Sequence, residues 1–373
     1  MAFLGVHLGR WVAWHRGVGI VACAAVIVWS LSGAMHPLMS RYQPRPAGFV
    51  PPPVAAPGPQ APSLDRILAE AGIARVLHAR LVTLDARSAW QVEVADTAAL
   101  RYFDAAEGRA IVDGEVAHAQ ALARHYLGDR HAPIVETSRV QSFGGEYAWI
   151  NRLLPVYRVR FDRPDGMRVY VEPRSGLLAT LIDDRKALFN NVFLVGHTWR
   201  LPVHPDGVRV GVAATALLAV SATPLLGLGV WWARRGARAT RGLRGWHRRL
   251  GLTTAAVVLA SAASGSWHLA KGWLDPALGR ERPVRAATPL PAAALVTDHI
   301  PSGAYASLVL VGMAGQVYAR AVPTSAQAAA APHGATTAAR ALVRRRRHRA
   351  TCPSRAMPRR STTLPTPAIS RPD

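Results

Sequence analysis

The sequence predicts a membrane α-helical bundle of three spans joined to an extracytoplasmic α+β domain, and three observations predict it. Apolar stretches long enough to cross a bilayer occur at 17–39, 208–232 and 250–274. A net charge of +23 coexists with 50% hydrophobic residues, so charge and apolarity must be segregated along the chain. Between the first and second apolar stretches, helix-period and strand-period patterns alternate twice.

The first stretch carries no acid or base except His36. A cleaved signal peptide would have a shorter apolar core ending at a small-residue site, so this length favours an uncleaved anchor. The second stretch has Arg209 at one edge and Trp231 and Trp232 at the other, where aromatic rings suit the membrane interface. Trp267 and Trp273 close the third. Arg10 and Arg16 precede span one, and the loop 233–249 between spans two and three holds seven Arg and no acid. By the positive-inside rule both face the cytoplasm, which places residues from about 40 to 207, and everything after span three, outside.

The basicity is therefore local, and no recognition motif accompanies it, which argues against a nucleic-acid partner. Cys23 and Cys352 are the only cysteines, which excludes thiolate zinc and iron–sulfur spacings. No nucleophile elbow, zinc triplet or phosphate loop is present, and three spans offer no inverted repeat for a transport path.

A Pro- and Ala-rich stretch, 44–62, reads as a stiff linker. Ser63 then caps a predicted helix whose face is Leu64, Ile67, Leu68 and Ala71, followed by strands at 80–84, 89–94, 100–103 and 110–112. A second amphipathic helix is predicted over about 115–126, with strands at 134–141, 156–161, 167–171 and 177–182. Within this double pattern Tyr102-Phe103-Asp104 with Gly108 matches Tyr170-Val171-Glu172 with Gly176. Each is a strand ending in an acid, three residues, and a turn glycine. A partial third copy begins near Pro291, and Gln316–Ala319 reads like the strand at 91–95, but its acid-x3-Gly turn never arrives. From Gln327 the chain has ten Arg, one acid and no periodicity, and is expected to be a disordered or frameshifted tail, the frame being lost near 325–333.

The pattern with most chemical content lies in the spans. Trp14-His15-Arg16, Gly19, Ser32-Gly33 and His36 recur as Trp246-His247-Arg248, Gly251, Ser264-Gly265 and His268, every position offset by 232. Twenty-one residues separate the two His of each helix, which is ~30 Å, or just under six turns, so both lie near one face at opposite membrane surfaces. Spans one and three run in the same direction, so packed side by side they place His15 opposite His247 and His36 opposite His268. Imidazole pairs from two helices suit axial ligation of haem iron, and ionisable groups inside spans are costly unless used. The bland alternatives are interfacial anchoring for His15 and His247, and a polar bundle contact for His36 and His268. His197, in an apolar run before span two, can replace or supplement an outer ligand. His204 reads as a loop residue, and His78, His118, His125 and His131 read as surface.

With the W-H-R-x2-G…S-G pattern, the doubled helix–strand module, the segment 155–182 and the Gly196–Trp199 approach to span two, the chain resembles the PepSY-associated transmembrane family over residues 11–273. These are iron-regulated inner-membrane proteins of Gram-negative bacteria. The resemblance implies two PepSY-like modules in the outer domain and haem b held by His15, His36, His197, His247 and His268. It implies electron transfer from a cytoplasmic or quinol donor to periplasmic ferric iron or a ferric siderophore. It equally admits a non-enzymatic membrane anchor that binds or regulates a peptidase. The family's closing module and usual fourth span are missing after Tyr318. In this scheme the chain divides into a transmembrane helix (1–40), a linker (41–62), a periplasmic α+β domain (63–190), and a lead-in with the second span (191–233). There follow a cytoplasmic Arg-rich loop (234–249), the third span (250–274), a partial third module (275–325) and the basic tail (326–373).

Overall fold

The computed structural model describes residues 2–144, 146–199, 206–235, 241–277, 288–313 and 316–324. His204 and the expected tail, with its proposed loss of frame, lie outside the described residues. In chain order, helix α1 (Ala2–Tyr42) precedes a short strand β1 (Val54–Ala55), helix α2 (Leu64–Glu70) and strands β2 (Arg75–Leu84), β3 (Arg87–Val94) and β4 (Leu100–Asp104). Helix α3 (Gly114–Leu127) leads to β5 (Ile134–Val140), β6 (Val156–Phe161), β7 (Arg168–Glu172) and β8 (Leu177–Ile182). Then follow α4 (Asp184–Thr198), α5 (Asp206–Ala233), α6 (Leu243–Ala277), β9 (Leu290–Pro291), β10 (Ala304–Met313) and β11 (Gln316–Pro323).

Three of these helices are long and apolar enough to cross a membrane, over Leu8–Tyr42, Gly207–Ala233 and Leu243–Lys271, and they mark a membrane protein. They pack through small residues. Ala22 and Ala25 of α1, Ala216 and Ala219 of α5 and Ala262 of α6 share one buried cluster, where the absence of bulk lets backbones approach. The expected side-by-side pairing of spans one and three is corrected here: both pack on α5. Gly19 and Gly229 of α1 and α5 face Thr223 and Trp11 across that seam, and Gly265 of α6 faces Leu217 of α5.

The sheets follow the period-2 pattern. β5, β6, β7 and β8 form a four-stranded antiparallel sheet in that order, with α3 packed on one face through Ala119, Leu122, Ala123 and Tyr126. The other sheet runs β1-β10-β2-β3-β4, with β11 added to β10 and β9 to β2. One of its faces, with Val76, Leu81, Trp90 and Phe103, buries Leu64, Ile67 and Leu68 of α2. The strand expected at 110–112 reduces to a single bridge between Phe103 and Ala110. Helix α3 already begins at Gly114, and a Cβ there would lie 2.5 Å from the Tyr102 Cβ.

The segment expected to start a third module is instead part of the first sheet. Strand β10 pairs antiparallel with β2 through Val309–Arg80 and Leu310–Ala79. The expected helix cap changes with it. Ser63 does not cap its own helix: its Oγ accepts the Thr297 N–H at 2.9 Å, and the Thr297 hydroxyl accepts the Leu64 N–H at 3.0 Å. The first sheet is thus completed by chain that returns after α6.

That topology fixes the parity of the spans. α5 follows α4 and α6 precedes β9 and β10, so the C-terminal end of α5 and the start of α6 share the end of the bundle away from the sheets. The N-terminal half of α1 lies there too, because Trp11 packs on Gly229.

The doubled turn is structural as well as sequential. Asp104 Oδ1 accepts the backbone N–H of Ala106 and Glu107 at 2.9 and 3.0 Å, and the Gly108 N–H closes on the Asp104 carbonyl at 2.9 Å. Glu172 repeats this with Ser175 N–H at 3.0 Å and Gly176 N–H at 2.9 Å, and the Ser175 hydroxyl also bonds its carboxylate. Gly108 and Gly176 both have φ near the left-handed value, +77° and +76°, which glycine adopts without steric cost.

The second turn is held by the polar face of the first sheet. Arg80 donates to Gln91 Oε1, the Ser175 carbonyl and the Pro173 carbonyl at 2.5, 2.6 and 2.7 Å. Gln91 Nε2 reaches Pro173 O and the Tyr102 hydroxyl, and Arg174 pairs with buried Glu93 at 2.6 Å. This network of Arg80, Gln91, Glu93 and Arg174 ties the two sheets into one assembly.

His118 and His78 correct the reading of these side chains as surface. His118 is 1% exposed, its Nδ1 3.2 Å from the Tyr102 hydroxyl. Burial, then the Arg80 charge, hold its pKa well below 6.5. His78, on β2, is lowered from 6.5 to about 4 by burial, with Arg80 and Arg174 adding to it. Both rings are neutral when folded and take up protons readily only when unfolded. Their contribution to stability is therefore complete above pH 6.5 and is lost as pH falls, for His78 between 6.5 and about 4. The melting temperature of the detergent-solubilised protein is expected to fall by roughly 5 °C or more from pH 7.5 to pH 5. His78→Gln should flatten that slope; a melting temperature that is constant or rises toward pH 5 would contradict it.

Candidate cofactor site between the membrane helices

Of the five histidines singled out in or beside the spans, the structure brings His15 and His247 together. Their ring centres lie 6.0 Å apart with planes tilted by 54°. They meet where the N-terminal part of α1, the C-terminal part of α5 and the start of α6 converge. His15 is half-buried and His247 exposed.

The His15 ring is oriented by α5. Its Nδ1 lies 3.1 Å from the Thr223 carbonyl oxygen. A carbonyl only accepts, so Nδ1 is the donor in this bond, the arrangement that orients a metal-ligating imidazole and leaves Nε2 as the candidate ligand atom. Metal–imidazole bonds of about 2 Å, with about 1 Å more from each nitrogen to its ring centre, put two axial imidazoles ~6 Å apart. The separation of His15 and His247 matches that value. Gly227 lets the His15 ring pack closely on α5: a Cβ there would lie 3.1 Å from His15 Cε1. The donor set and its spacing fit a bis-imidazole haem site.

At the opposite end the arrangement differs from the expected pair. His36 does not face His268. It is exposed on α1, its ring 6.1 Å from Phe193 of α4. His268 is exposed on α6 and has no ring partner among the described residues. His197 stacks on Phe193 at 4.6 Å and 16°, so one phenyl ring is neighbour to both His36 and His197. The His197 ring is also tied to α1: its Nδ1 is 3.2 Å from Ser32 Oγ, and its carbonyl accepts from Trp29 Nε1 at 3.0 Å. Trp29 in turn meets Trp199 edge-on at 5.5 Å.

Helix α4 builds this second cluster and was missed as a helix, residues 191–207 having been read as a lead-in. Its start is legible in retrospect. Asp183 is an N-cap whose carboxylate accepts the Lys186 N–H at 2.7 Å, and Phe193 and His197 are then one turn apart on the side facing α1. Gly196 lets the helices close, since a Cβ there would sit 3.2 Å from Ser32 Cβ. The Arg185 guanidinium lies 5.9 Å over the Tyr42 ring, joining the foot of the sheet assembly to the end of α1.

No protein-family model matches the sequence, and neither the curated proteins nor the solved structures searched contain a match to it. Among the described residues no group of three or more His, Cys, Asp or Glu could hold a metal ion unaided, so an imidazole-ligated metal here would need further ligands of its own, as the four porphyrin nitrogens provide.

Proposed function

We propose that this chain is a haem-binding electron-transfer protein of the bacterial inner membrane, in which His15 and His247 would hold the haem. The observation that carries the reading is the 6.0 Å ring separation of two imidazoles from different helices, one of them oriented through Nδ1. Haem held there would supply a reversible one-electron couple. The residues around it do the protein's part. Thr223 orients the His15 ring, Gly227 lets that ring seat against α5, and the alanine seam fixes the distance between helices.

His36, His197 and His268 stand about one bilayer thickness away on the same bundle and are the ligands available for a second site near the sheets. Electrons then pass toward the side carrying the α+β assembly, where the acceptor is ferric iron or a ferric siderophore. Reduction to the ferrous state weakens a hard-oxygen chelate's hold on the metal. With the Arg-rich loop cytoplasmic, that side is the periplasm. The two sheets dock or shelter the acceptor near the outer cluster.

The test is a reduced-minus-oxidised spectrum of the chain expressed in haem-replete membranes and then purified. A b-type band is expected. A folded sample with no band ends this reading and leaves a membrane-tethered scaffold, the peptidase-binding anchor.

A further inference from the structure

The end of the bundle that carries His15 and His247 has an unusual charge balance. No carboxylate occurs in residues 1–64 or 207–274, whereas Arg10, Arg16, Arg234, Arg235, Arg241, Arg244, Arg248 and Arg249 all fall at this end. These arginines stand in two tiers. Arg235 lies 4.5 Å over the Trp232 ring and Arg249 6.0 Å over Trp246, as side chains do that hold helix ends at an interface. The other tier is at the start of α6. Arg244 lies on the first turn of α6, which begins at Leu243, and Arg241 precedes it. Between the tiers is the exposed ring of His247, with Arg244 one turn away and Arg248 beside it.

We propose that this arginine collar is the docking surface of a soluble, acidic one-electron carrier protein, of the iron–sulfur or flavin class. The inference rests on the haem reading above. Charge complementarity selects this occupant. A wholly cationic surface raises the local concentration of an acidic protein and speeds encounter, and electron-transfer contacts need only a small interface. The exposed His247 edge sits inside the footprint such a protein would cover. Anionic lipid headgroups offer the same charge and are an outcome the experiment separates.

The experiment uses the full chain in nanodiscs of zwitterionic lipid, with a reduced, acidic [2Fe–2S] ferredoxin as probe, and reads binding directly. Binding is expected, weakening about tenfold or more as salt rises from roughly 0.05 to 0.3 M. Arg244→Gln/Arg248→Gln should weaken it comparably while leaving the haem spectrum unchanged, five arginines remaining in the loop to hold topology. Absence of salt-sensitive binding by the native chain overturns the proposal, as does binding that the double variant leaves intact. So does selective retention of anionic lipid by the collar without ferredoxin binding. Because docking is read by binding and the haem by its spectrum, loss of one result does not imply loss of the other.

Discussion

Removing residues 288–373 is expected to unfold the first sheet while the second survives. That segment supplies β10, the central strand between β1 and β2, and puts Leu295, Leu308 and Leu310 into the core around Trp90, at 0, 0 and 3% exposure. Each buried leucine is worth about 2–5 kcal/mol against a small residue. Thr297 further satisfies the first N–H of α2 and anchors Ser63. The combined loss meets or exceeds the ~5–15 kcal/mol that typically separates folded from unfolded domains. Limited proteolysis should then cut within 64–104 and spare 134–182. Leu308→Asp tests the same point with the chain intact, because it places an unpaired charge at a fully buried position. Unchanged protease resistance in both variants would mean that the returning strand is an ornament on a self-sufficient sheet.

This dependence was hidden in the sequence for a physical reason. The strands at 156–161 and 177–182 were legible to the residue, the first because its pleat is written into alternating side chains from Tyr157 to Phe161. The matched turns at Asp104 and Glu172 were equally legible, since an acid that accepts N–H bonds four residues before a left-handed glycine is a local device. Which edge Gln316–Pro323 and its partner strand would join was not local. The choice depends on the free side of β2 at Ala79 and Arg80, more than two hundred residues away.

The bundle shows the same division. The offset repeat picked out His15 and His247, which do meet, because depth along a helix follows from residue count. It could not place α5 between α1 and α6, since apolar stretches do not record their neighbours. At the far end the interposed α4 brings Phe193 and His197 to His36, so equal depth does not yield a second facing pair. His118 was the avoidable error. It lies on the stripe with Leu122 and Tyr126 at four-residue spacing, and that periodicity already pointed it inward.

Gly227→Leu should abolish the b-type spectrum while both candidate ligands remain in the chain. Even a Cβ at this position would press to 3.1 Å on His15 Cε1, and a leucine displaces the ring from the place where it meets His247. Gly227→Ala is the graded control: its methyl group meets only the ring edge and should reduce haem content partially. His247→Ala should also empty the site, but through loss of a ligand, so imidazole added in solution should restore part of its band and should not rescue Gly227→Leu. The two variants are expected to stay folded. His247 is exposed and makes no structural bond among those described, and α5 gains helix propensity when a glycine is replaced. A leucine variant that keeps full haem content would place the cofactor away from this ring. If His247→Ala kept it as well, the 6.0 Å pair would be an interfacial contact between two helix ends, and the arginines around it would serve topology alone.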